Sequence, residues 1–198
     1  RLKFSSMMRF ISVIFSVFTG LVFTTIITRN LSAVEYGEWV AIGSLMVYGV
    51  FPSLGLGYWY TRYTARNIPI ARYGILITSI FSVVGVAIFF IAATIFIKEF
   101  DHLYPILLVA SLQVITSSLI HSLTAISNGK KPEFSAYGIL IFEIVKVTLA
   151  ITILFGLGNF SLIDVIIVII ISQIVQIFSL SVLIRKEIIR KIDFKNIF

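Results

Sequence analysis

The chain has 198 residues, 59% of them hydrophobic and 13% charged, with a mean hydropathy of +1.06. Soluble domains are about half apolar and a quarter charged, so this composition excludes a soluble globular protein. With no cysteine, disulfides, thiolate metal centres and thiol nucleophiles are excluded as well. A formal charge of +7 would point to nucleic acid in a soluble protein, but here its placement between apolar runs decides its meaning.

The chain opens at Arg1 rather than Met, which predicts a trimmed N-terminus. The first apolar run, Phe10 to Thr28, is too long for a cleaved signal peptide and is read as a retained span. Its Ser12, Ser16, Thr19, Gly20, Thr24 and Thr28 form a small-residue stripe that predicts close helix packing around Gly20. The second run, Trp39 to Tyr60, contains Gly49, Pro52, Gly55 and Gly57, which predicts a kinked or unwound inner half. Gly74 to Ile97 is the third, almost wholly apolar. The fourth, Leu103 to Ile126, carries Gln113, Thr116, Ser117 and His121. In the fifth, Phe134 to Leu157, Glu143 and Lys146 lie three residues apart and share a helix face. The sixth, Leu162 to Ile184, places Gln173 and Gln176 at the same spacing. The tail from Arg185 to Phe198 mixes basic residues with Ile188, Ile189, Ile192 and Phe194, as either an amphipathic surface helix or a stop-transfer flank.

Each run meets the roughly 20 residues that a helix needs to cross hydrocarbon. Many residues are β-formers, yet runs of this length exceed the roughly 10 alternating residues of a barrel strand. A spanning helix also satisfies its own backbone. The fold class is therefore all-α, a polytopic membrane protein with one six-helix bundle over residues 1–198.

Thirteen of the 16 Lys and Arg residues fall at the N-terminus, between spans two and three, between spans four and five, and in the tail. Cytoplasmic loops accumulate such residues, so both termini are expected in the cytoplasm. Topology accounts for the basic charge, and nucleic acid is not an expected partner; membrane lipids are.

An ionised group at a helix centre costs roughly 2.5 to 3.5 kcal/mol, so Glu143 and Lys146 call for a reason. Two remain open: a cavity-lining pair that meets a substrate headgroup or a proton, and a self-neutralised pair that specifies packing. The glutamines and His121 likewise suit either a polar path or interhelical bridging. There is no Gly-x-Ser-x-Gly, no His-Glu-x-x-His, no Asp-rich cluster and no phosphate-binding glycine loop, so no enzyme and no cofactor is expected.

The segment Thr28 to Arg66 reads T-R-N-L-S-A-V-E-Y-G-E-W, an apolar stretch, then S-L-G-L-G-Y-W-Y-T-R-Y-T-A-R. It resembles the N-terminal signature of polysaccharide-export flippases in the multidrug, oligosaccharidyl-lipid and polysaccharide exporter superfamily. Arg29, Leu31, Ser32, Glu35, Tyr36, Gly37, Leu54, Gly55, Leu56, Gly57, Arg62, Ala65 and Arg66 carry the match, over about 40 residues. The resemblance implies the N-terminal lobe of a flippase in a prokaryotic cytoplasmic membrane, moving a lipid-linked diphosphate sugar by alternating access. It implies a second six-helix lobe or homologous chain as partner, because that family has two bundles and this chain has one. Arg62 and Arg66, four apart on one face, suit a diphosphate clamp or ordinary positive-inside anchoring. Arg29, Arg62, Arg66, Glu143 and Lys146 are the expected substrate-binding residues. The alternative is a non-transporting membrane subunit that docks a partner membrane protein.

Overall fold

The computed structural model describes residues 2–96, 104–157 and 160–190, and all of its regular elements are helices. They are α1 (Leu2–Asn30), α2 (Ala33–Ala65), α3 (Ala71–Phe96), α4 (Tyr104–Lys130), α5 (Pro132–Leu157), α6 (Leu162–Leu183) and the short α7 (Arg185–Ile189). The first six are long and apolar enough to cross a membrane. Arg1, Lys98, Glu99, Asp101 and the tail beyond Arg190 lie outside the described residues.

Local chemistry carries several helices beyond the apolar runs. At the start of α2, the Glu35 backbone N–H donates to Ser32 Oγ at 3.3 Å. The Ser32 N–H donates in return to Glu35 Oε2 at 2.9 Å. This reciprocal capping satisfies two backbone donors and starts the helix at Ala33, so Gly37 lies inside α2 rather than in a turn before it. Asp164 Oδ2 likewise accepts from the Ser161 N–H at 2.9 Å where α6 begins.

Of the kink or unwinding expected in α2, the unwinding does not occur. The helix runs unbroken across Pro52, Gly55 and Gly57. Proline deletes one backbone donor, but α2 is held along its length by α3 on one side and α4 on the other. Ile42, Leu45, Met46 and Val50 bury against Phe89 and Ala93 of α3 and against Leu107, Ala110 and Val114 of α4. Gly49 and Gly85 bring α2 and α3 close together: a Cβ added at Gly85 would stand 2.1 Å from the Gly49 carbonyl oxygen.

The first helix packs differently from its predicted stripe. Its main neighbour is α5. Gly20 has nothing within 4 Å of an added Cβ, so the close approach expected there is absent. Contact is made by Ser12, Phe23, Ile27 and Leu31, all buried, the last three clustering with Ala150, Val165 and Val168. The stripe thus contributes through Ser12 and not through Gly20, and the larger apolar side chains beyond it gain more by burial.

In the middle of the bundle α4 packs against α2, α3, α5 and α6. Three polar contacts gather one end. Ser5 Oγ donates to Glu133 Oε2 at 2.6 Å, Lys130 Nζ donates to Asn67 Oδ1 at 3.1 Å, and Lys130 pairs with Glu187 at 2.9 Å. The beginning of α1, the turn after α2, the turn between α4 and α5, and α7 therefore share this end, the arrangement that an even number of crossings requires. Asn67 makes the tight turn after α2 with φ at 60°, a left-handed conformation that asparagine tolerates. The α6 helix breaks at Ile184 before α7, whose Ile188 packs on the Tyr60, Leu123 and Leu180 cluster.

Candidate functional site

Glu143 stands eleven residues into α5, roughly 16 Å along the helix, and is 4% exposed. Lys146, one turn on, is 7% exposed, and its Nζ lies 2.6 Å from Glu143 Oε2. Two hydroxyls of α1 complete the carboxylate shell. Ser16 Oγ donates to Oε1 at 2.7 Å, and Thr19 Oγ1 donates to Oε2 at 2.6 Å. The ammonium also lies 5.3 Å from the Phe23 ring centre and 4.9 Å from that of Phe142, within cation–π range. A buried charge pair is tolerable when its remaining hydrogen-bonding capacity is used, and the carboxylate here meets that condition. Ser16 and Thr19 thus have a specific polar partner, whereas packing alone was expected of their stripe.

Beside this pair lies an open-sided cavity of about 390 Å³ lined by α1, α4, α5 and α6. Ser16, Ser117, His121, Glu143, Gln173 and Gln176 supply its polar lining, and Val13, Ile120 and Phe142 are among its apolar walls. Gln173 is fixed on α4: its Nε2 donates to Ser117 Oγ at 2.9 Å, and its Oε1 accepts from Thr116. Ser117 and His121 of the fourth run, Glu143 of the fifth and the two glutamines of the sixth therefore converge on one volume, whereas Gln113, Thr116 and Lys146 do not line it. Such a lining of hydroxyl, amide, imidazole and carboxylate groups can hydrogen-bond a polyhydroxylated ligand and pairs those groups with apolar walls. Among the described residues no group of three or more His, Asp or Glu side chains could hold a metal.

The arginines sit elsewhere. Arg29 is exposed in the last turn of α1. Arg62 and Arg66 are exposed at the end of α2, where the Arg66 N–H caps the helix by donating to the Arg62 carbonyl at 3.3 Å. They adjoin Asn67 at the end gathered by Lys130, and Arg29 lies at the other end. Of the five expected site residues the structure brings together only Glu143 and Lys146. The signature segment itself has plain structural uses: Ser32 and Glu35 cap α2, Leu31 is buried, and the Tyr36 ring packs 5.7 Å from that of Trp39. No family model, curated protein or solved structure matches this chain.

Proposed function

We propose that this chain is one lobe of a transporter that moves a lipid-linked diphosphate sugar across the cytoplasmic membrane of a prokaryotic cell. Six apolar helices are compatible with a membrane transporter or a membrane subunit. The observation that favours a transporter is the cavity at Glu143, where a buried charge pair borders a polar-lined space between α1 and α4. Packing alone needs no such space.

In this reading Lys146 and the α1 hydroxyls fix the position of the Glu143 side chain, while Gln173, Gln176, Ser117 and His121 exchange hydrogen bonds with sugar hydroxyls. Arg62 and Arg66 meet the diphosphate at the cytoplasmic mouth, and Arg29 meets it at the far face. A second lobe closes the open side of the cavity, and the lipid tail stays in the bilayer.

The competing reading is a docking subunit. One observation favours it: the Glu143 carboxylate is already satisfied within the chain by Ser16, Thr19 and Lys146. Reconstitution in proteoliposomes, with the chain supplied as a second copy or with a second six-helix lobe, separates the two. A fluorescent lipid-linked diphosphate sugar should become accessible on the far leaflet, and the double replacement Glu143→Gln with Lys146→Met should abolish that movement while thermal stability stays nearly unchanged. Unaltered flipping by the double variant would remove the pair from the substrate path.

A further inference from the structure

The outer surface of the bundle carries a second, differently built feature at the end where α5 begins and α6 finishes. An apolar groove of about 440 Å³ runs between these helices, walled by Tyr137, Leu140, Ile141, Phe178 and Val182. A cavity of about 320 Å³ at the helix ends shares Val182 and Leu183 with it, so the two are continuous. The second cavity is basic, with Lys130, Lys131, Arg185 and Lys186 in its lining against one acid, Glu187. That acid is spent on Lys130 at 2.9 Å. The nearby Glu133 accepts from Ser5 on α1, and the basic cavity's lining does not include it. Lys131 lies over the Phe134 ring at 5.1 Å, which holds the ammonium at the cavity, and it has no ion-pair partner among the described residues.

We propose that this composite is a binding site for one anionic glycerophospholipid. Its phosphate lies among Lys131, Arg185 and Lys186, and an acyl chain lies along the groove between α5 and α6. Depth and charge agree on this occupant. Tyr137 is six residues beyond Lys131 and Ile141 ten, about 9 and 15 Å along the helix, so the apolar walls begin where a headgroup ends and acyl chain begins. Water-soluble anions would leave the groove empty, and a zwitterionic lipid would bring its own cation to a site where three cations have no carboxylate partner among the described residues. The site is separate from the Glu143 cavity, which shares no lining residue with either part.

Native mass spectrometry of the full chain released from detergent tests this, with palmitoyl-oleoyl phosphatidylglycerol and phosphatidylcholine as probes. One phosphatidylglycerol should be retained at least about tenfold more tightly than phosphatidylcholine. The combined Lys131→Gln, Arg185→Gln and Lys186→Gln variant should lose that preference. Ser179→Trp, which fills the groove without altering charge, should weaken phosphatidylglycerol retention while the chain keeps its thermal stability. Millimolar glycerol phosphate should leave the bound lipid in place. Equal retention of the two lipids, a preference that survives the triple replacement, indifference to Ser179→Trp, or displacement by glycerol phosphate would each overturn the proposal. The lipid comparison on the unaltered chain and the groove variant decide the matter even where the triple variant fails to fold.

Discussion

Gly85 of α3 faces the backbone of Gly49 of α2 so closely that a methyl group on Gly85 would penetrate the Gly49 carbonyl oxygen, at 2.1 Å. The obstacle is backbone, which cannot turn aside as a side chain can. Gly85→Ala should therefore push α2 and α3 apart and lower stability by about 1 to 3 kcal/mol, the usual cost of overpacking. Gly20→Ala, with open space around its Cβ, should be neutral or slightly stabilising through helix propensity. Thermal unfolding of the two variants in detergent checks the contrast, and equal midpoints would refute it.

The buried pair should behave as a unit. Glu143→Gln alone leaves the Lys146 ammonium buried without its counter-charge and should cost about 3 kcal/mol, whereas adding Lys146→Met should recover most of that loss. A double-mutant cycle on unfolding in mixed micelles measures the coupling. Additive losses would show that the two residues do not depend on one another.

Some buried hydroxyls find no hydrogen-bond partner among the described residues, Thr64 and Ser122 being two of them. An unpaired buried hydroxyl contributes nothing that a methyl of the same shape would not, so Thr64→Val should be neutral or stabilising by up to about 1 kcal/mol. The same holds for Ser122→Ala. A loss beyond about 1 kcal/mol in either variant would reveal a partner for that hydroxyl.

Orientation has a direct test, since the chain contains no cysteine to create background. A cysteine introduced at position 66 or 131 should resist an impermeant thiol reagent added outside intact cells and react after permeabilisation. One at position 34 should react from outside. Labelling of position 66 in intact cells would invert the topology.

The six spans were legible in the sequence because hydrocarbon imposes a simple length and composition on any helix that crosses it. The start of α2 was missed, since the apolar run begins only at Trp39, although Ser32 and Glu35 stand at capping-box spacing. What the sequence could not show was which faces meet. Ser16 and Thr19 read as part of a packing stripe, because their partner Glu143 lies 127 and 124 residues away and no local pattern links them. Gly85 sits in a uniformly apolar run, so nothing in its neighbourhood marked it as the contact and Gly20 as the bystander. The two glutamines at i and i+3 did point inward, and both line the cavity, but nothing in the sequence marks Gln173 as the one held by Ser117 and Thr116.

The long reach from α1 to α5 bears on how the protein is made. Emerging ahead of α2 to α5, α1 must wait in lipid while those four helices follow, with its Thr19 hydroxyl bonded back onto the Phe15 and Ser16 carbonyls. Only when α5 arrives do Glu143 and Lys146 give it a docking point. A nascent chain arrested before Phe134 would thus hold α2, α3 and α4 as an assembled trio with α1 drifting beside it. Closure of the bundle then falls late in biogenesis, when α5 and α6 bring α1 both its polar partner and its apolar cluster.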